Sequence, residues 1–179
     1  MPGMLFLALL FEFIFLIFLA GILYYLMTGF IGVPWVPSTK KYRDIMFDLA
    51  KIQPGERILD IGCGDGIIVC DAVKRFQAIG YGIEYHYLLM LCGRIRALIT
   101  GVSSKTHFIW GNMYRMQYPE ADVIFTYLFP ETNKRLEPLL KASFPSGTRV
   151  VSRAFSYPTL PLITKKQEGR ETIYLYQIP

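Results

Sequence analysis

The sequence predicts an α/β fold: a largely parallel sheet with helices on both faces, behind one long apolar N-terminal helix. Three observations predict it. From Arg57 to Trp110, strand-like and helix-like stretches alternate in a βαβαβ order. The run Arg57-Ile58-Leu59-Asp60-Ile61-Gly62-Cys63-Gly64-Asp65-Gly66 leads an apolar strand through three alternate glycines into the helix-compatible Ile67-Ile68-Val69. From Met4 to Met27 the single charge is Glu12, the composition of a membrane span and not of a core helix.

The apolar N-terminus allows two registers. A span from Phe13 to Ile31 covers about 28 Å at 1.5 Å per residue, puts Glu12 at one interface and leaves the preceding residues along it. A span from Met4 places Glu12 inside the hydrocarbon, at roughly 3 kcal/mol unless it is protonated or paired. The first register is preferred, with Tyr24, Tyr25 and Trp35 near the opposite aromatic belt. A secretory signal is the competing reading, but no Lys or Arg precedes the apolar run and no small-x-small cleavage site follows it. Lys40, Lys41 and Arg43 lie just after the span, so the positive-inside rule puts the large domain in the cytoplasm, on a single-pass membrane protein.

The expected organisation is an anchor at 1–31, a proline-containing connector with a first helix at 32–56, and a domain at 57–179. Gly32-Val33-Pro34-Trp35-Val36-Pro37-Ser38 is stiff because each proline fixes its own φ and biases its predecessor toward extended backbone. Ser38 or Thr39 suits an N-cap, and Tyr42, Ile45, Met46, Leu49 and Ala50 recur at helical spacing until Pro54-Gly55. The Arg57 strand and a helix to about Phe76 follow. Next come a strand Ile79 to Glu84, a helix Tyr87 to Ile99 and a strand Thr106 to Trp110. Ala121 to Leu128 reads as a fourth strand, Glu131 to Lys141 as a helix and Thr148 to Ser152 as a fifth strand. Leu160 to Lys166 and Thr172 to Ile178 read as a closing pair, with Gly169 in the hairpin between them.

The glycine run is not a dinucleotide fingerprint. G-x-G-x-x-G would need a third glycine where Ile67 stands. The order is acid-x-Gly-x-Gly-x-Gly, with Tyr81-Gly82-Ile83-Glu84 about twenty residues on. This resembles motif I and its acidic partner in class I S-adenosylmethionine-dependent methyltransferases. The resemblance implies a Rossmann-like seven-stranded class I methyltransferase sheet binding S-adenosyl-L-methionine. It assigns Gly62, Gly64 and Gly66 to the cofactor loop and Glu84 to the ribose hydroxyls, which suits an acceptor-only carboxylate. Asp60 would orient the loop or approach the methionine amino group. After Gly111, Asn112 stands where the family places an acceptor for the adenine amino group.

Val33 to Ser38, Leu59 to Gly66, Gly111-Asn112, Pro145 to Ser152 and Thr172 to Tyr176 resemble a narrower group, the small protein-lysine methyltransferases. These are archaeal broad-specificity enzymes and a membrane-anchored mitochondrial enzyme that methylates the ATP synthase c subunit. The arginine common after Asp-Gly in that group is Ile67 here, and Thr126-Tyr127-Leu128-Phe129-Pro130 departs from its relatives. The resemblance implies lysine N-methylation on a protein at or near the membrane, with Tyr127, Phe129 and Trp35 as candidates for the acceptor pocket. Aromatic faces hold an ammonium, and burial lowers the lysine pKa so that the nitrogen loses its proton.

Other chemistries fare worse. Without Asn-Pro-Pro-Tyr or Asp-Pro-Pro-Tyr after the fourth strand, a planar amino group on adenine or glutamine is a poor acceptor. Glu12 is the only charge before Lys40, so all 19 basic side chains lie beyond the apolar run. That excess suits anionic headgroups of the lipid bilayer, whereas no basic stripe with interleaved aromatics supports nucleic acid. Cys63, Cys70 and Cys92 are odd in number and lack C-x-x-C spacing, and His86 and His107 are isolated, so buried thiols and no metal site are expected. Two other functions stay open: a lipid or quinone methyltransferase, and a cofactor-binding module without turnover.

Overall fold

A computed structural model describes the backbone of residues 2–31 and 36–179, and the side chains of 3–23 and 36–179. Residues 32–35, including Trp35 and most of the proline connector, lie outside it. The chain forms two compact units, one ending by residue 35 and one from 36 to 179.

The first unit contains α1, Pro2–Ile31. At about 1.5 Å per residue it is roughly 45 Å long, longer than either span expected from the sequence. It runs through Glu12 as helix, so the residues before Glu12 continue the same helix. The stretch Gly3–Leu23 is long and apolar enough to cross a bilayer, and Glu12 falls within it.

The second unit is built on a seven-stranded sheet. Its strands are β1 (Arg57–Ile61), β2 (Ile79–Glu84), β3 (Thr106–Trp110), β4 (Val123–Thr126), β5 (Arg149–Arg153), β6 (Leu162–Glu168) and β7 (Glu171–Gln177). Their spatial order is β3-β2-β1-β4-β5-β7-β6. The first five are parallel, and β7 runs antiparallel to β5 and β6. The last two form the expected hairpin, in which Gly169 has a φ of 60° and Glu168 pairs with Glu171.

Helices α2 (Lys40–Ala50), α3 (Ile67–Phe76) and α4 (Tyr87–Ile99) pack on one face. Their Met46, Phe47, Val69, Val73, Met90 and Ala97 share one apolar cluster with Ile58, Phe125, Val151 and Ile173 of the sheet. Leu59, Ile124 and Val150 alternate with those strand residues and are buried on the opposite face, where Leu136 and Leu140 of α5 (Pro130–Ser143) are also buried. β4 is shorter than expected because Ala121-Asp122 and Tyr127-Leu128 make connections at its ends: the Asp122 carboxylate receives the Arg57 N–H at 2.8 Å.

The chain leaves β1 for β2 and β3, then returns to β4 on the other side of β1. That reversal is a topological switch point at the carboxyl ends of β1 and β4, the end of the sheet where ligands of such folds bind.

Candidate active site

Five residues carry the chain from β1 into α3. Gly62, Gly64 and Gly66 have φ of 79°, 54° and 71°, where a side chain would strain the backbone. The N–H groups of Gly62 and Cys63 donate to the Ile83 carbonyl at 2.9 and 3.0 Å, tying the loop to β2. A Cβ on Gly66 would lie 2.5 Å from the Phe108 ring and 3.0 Å from Gly93 Cα, so loop, β3 and α4 meet there. Arg96 of α4 holds the loop from outside. Its Nε donates to the Asp65 carbonyl at 2.9 Å and its terminal nitrogen pairs with the Asp65 carboxylate.

Glu84 ends β2 beside this loop. One oxygen of its buried carboxylate accepts the Gly64 N–H and the other the His86 N–H, each at 2.8 Å. A carboxylate has about four acceptor positions, so two hydroxyl donors still find lone pairs there. Asp60, also buried, has its pKa pushed up to about 8 by burial first, then by the negative charges of Glu84 and Asp65. Burial raises the Cys63 thiol as well, which removes it as a thiolate nucleophile at neutral pH. Across β2, Glu84 pairs with Trp110 and its carbonyl accepts the Gly111 N–H at 3.0 Å. Asn112 follows, with Oδ1 accepting the Tyr114 N–H at 2.9 Å and one lone pair to spare.

The exit of β4 forms the other wall. Ile61 pairs with Thr126, and a Cβ on Gly62 would lie 3.0 Å from Leu128, so this exit touches the glycine loop. Tyr127 faces the α2 side, with its ring 4.2 Å from the guanidinium of Arg153. That guanidinium stacks on Tyr42 at 4.1 Å on α2, grips both Glu171 oxygens and donates to Ser38 Oγ at 3.1 Å. An internal cation thus takes the Tyr127 face expected for a lysine. Phe129 remains 44% exposed, its ring 5.8 Å from that of Phe155.

The loop glycines, Asp60, Glu84 and Asn112 therefore converge at the ends of β1, β2 and β3, while Tyr127 and Phe129 diverge. Trp35 lies outside the described residues. Cys63 and Cys70 are buried as expected and Cys92 is exposed on α4. Among the described residues no cluster is arranged to hold a metal ion. Sequence reasoning missed Arg96, Arg153 and Phe155. Arg96 had one signal: a cation on a helix without an acid must find its partner elsewhere.

Residues 60–164, from the end of β1 into β6, match the ANTKMT methyltransferase domain family. The chain belongs to this family. A protein-lysine N-methyltransferase of Saccharolobus islandicus is 31% identical over 82% of this chain and 94% of its own length. The mouse adenine nucleotide translocase lysine N-methyltransferase is 27% identical over 82% of this chain, which spans 63% of the mouse protein. Among solved structures, a Salinibacter ruber RNA methyltransferase in complex with S-adenosyl-L-homocysteine superposes with a TM-score of 0.78. It is 33% identical, over 80% of this chain and 94% of that one. The sheet is thus that of a class I methyltransferase, with all the converging loop residues inside the matched stretch.

Proposed function

We propose that this methyltransferase uses S-adenosyl-L-methionine to methylate a lysine side chain on a protein at or near a membrane, to which α1 anchors it. The observation that carries the cofactor is the set of buried carboxyls around a glycine loop: Glu84 and Asp60, with Asp65 beside them. Asp60 holds its proton up to about pH 8 and Asp65 pairs with Arg96, so the charge facing the loop is that of Glu84, which disfavours a pyrophosphate and favours a cationic ligand. S-adenosylmethionine fits on that count, and when bound it supplies a methyl group already activated on a sulfonium. Glu84 accepts the ribose hydroxyls, the backbone of Gly62 to Gly66 allows close approach, and Asn112 receives the adenine amino group. The Glu84 charge near Asp60 suits the methionine ammonium.

The acceptor nitrogen enters from the β4 side. Phe129 and Phe155 provide an apolar approach that excludes water and lowers the lysine pKa, and alignment then does most of the work. Tyr127 acts behind them through its contact with Arg153, and burial raises its own pKa, so it is no base at neutral pH. Lysine as the acceptor is supported by the names of the archaeal and mouse relatives. The membrane is supported by the length and composition of α1.

The test is transfer of labelled methyl from S-adenosylmethionine into membranes from cells lacking this protein, followed by separation of protein from lipid and acid hydrolysis. Label in methyl-lysine is expected. Label in lipid would make the acceptor a lipid or quinone, and label in added RNA would move the substrate to nucleic acid. No label anywhere, with cofactor binding intact by calorimetry, would leave a binding module without turnover.

A further inference from the structure

The outer surface of α4 has no counterpart in the catalytic reading. Met90, Gly93 and Ala97 face the sheet, and Gly93 sits where a Cβ would come within 2.8 Å of Phe108. On the opposite side Leu88, Leu91, Ile95, Leu98 and Ile99 form a stripe at helical spacing, with Leu98 67% and Ile99 80% exposed. Soluble surfaces rarely carry so continuous an apolar strip. At its N-terminal end, next to Glu84, stand the exposed rings of Tyr85, Tyr87 and Trp110. Tyr87 and Trp110 pack edge to face, their centroids 5.6 Å apart.

Charge narrows the choice of what covers this stripe. Between Glu84 and Glu120 the sequence has no acidic residue, while Arg94, Arg96, Lys105 and Arg115 are basic. At 100° per residue, Arg94 and Arg96 leave α4 on opposite flanks of the stripe; Arg96 is paired with Asp65, whereas Arg94 donates to the Phe108 carbonyl at 2.9 Å and keeps its charge. An apolar helix face with a basic flank at Arg94 and aromatics at one end fits a helix lying in the headgroup region of an anionic bilayer. A second copy would bring the same positive charge against itself.

We propose that the α4 face and the Tyr85, Tyr87 and Trp110 rings dock on an anionic lipid surface. The site at the ends of β1, β2 and β3 then lies beside the headgroups, within reach of a lysine near the membrane. This rests on α1 as the anchor that keeps the domain at the bilayer.

Cys92 lies within the stripe and is exposed, whereas Cys63 and Cys70 are buried, so the full chain accepts a fluorophore at that position. The labelled protein is placed in vesicles of phosphatidylcholine and phosphatidylserine, then challenged with a nitroxide lipid and with aqueous iodide. A Cys92→Ser, Lys134→Cys protein, labelled on the exposed side of α5, is the control. The nitroxide lipid is expected to quench the Cys92 label severalfold more than the control, and iodide less. Ile95→Glu with Leu98→Glu should return the label to water while the protein still floats with vesicles. A water-facing Cys92 label on floating protein overturns the docking and leaves the anchor standing. Protein that does not float overturns both. Self-quenching relieved by unlabelled protein would identify a second copy as the occupant and also overturn the proposal.

Discussion

Glu84 stands at the end of β2 because the apolar run Ile79 to Ile83 pairs with β1 on one side and β3 on the other, which leaves its carboxylate beside the glycine loop. Replacing it with alanine removes two hydrogen bonds that order the Gly64 and His86 backbone, besides those expected to ribose. Charge-assisted bonds are worth about 1.5–3 kcal/mol each. Calorimetry on the full chain in detergent should therefore show S-adenosylmethionine binding at least tenfold weaker for Glu84→Ala. Asp60 gives a pH signature. Its folded-state pKa, raised from 3.8 to about 8, means the folded protein holds this proton better than the unfolded chain does. Stability from that proton is complete below the ordinary carboxylate range and is lost as pH rises through about 8. The urea midpoint should fall between about pH 5 and about pH 9, and Asp60→Asn should flatten the fall. An unchanged slope in that variant would assign the pH dependence elsewhere.

At the level of elements, the glycine that lets α3 lie close to the sheet is not in the loop. A Cβ on Gly80 of β2 would lie 2.6 Å from Val69 Cγ1 and 2.7 Å from Val73 Cγ2, both on α3. The role that the third glycine of a dinucleotide fingerprint would play from the loop is met here from the strand beneath it. Gly80→Ala should push α3 outward at a cost of about 1–3 kcal/mol, read as a lowered urea midpoint, and weaken cofactor binding because α3 carries the loop. A midpoint equal to that of the parent protein would mean that Val69 and Val73 simply rotate away. Edge protection belongs to the same scale. β6 is exposed along most of its length, and Lys165 and Lys166 keep it from pairing with another chain.

For the whole molecule, Arg153 ties distant parts together. It is 3% exposed and joins Ser38 ahead of α2, Tyr42 on α2, Tyr127 after β4 and Glu171 on β7. A lysine would keep the charge but lose the planar fork and its stacking. Arg153→Lys should lower the denaturation midpoint by the equivalent of about 1–3 kcal/mol, followed by near-ultraviolet circular dichroism. It should also loosen the β4 exit, seen as lowered methyl transfer with little change in cofactor affinity. Equal stability would show that the planar fork and its stacking add nothing that a buried lysine does not supply.

The sequence by itself determined the alternating elements, the sheet that they imply, the glycine loop after β1 and the carboxylate at the end of β2, because each depends on local pattern: apolar periodicity, glycine at bends, a carboxylate at a strand end. It also determined that α1 is apolar enough to span a bilayer. It did not determine which aromatic face is free. Tyr127 and Phe129 are two residues apart, yet Arg153 reaches one and Phe155 packs beside the other, and both partners come from more than twenty residues downstream. Only the tertiary structure decided that, along with the raised pKa of Asp60 and the exposed stripe of α4. Each depends on what the folded chain brings to a side chain or leaves open to solvent, and spacing along the sequence carries no record of it.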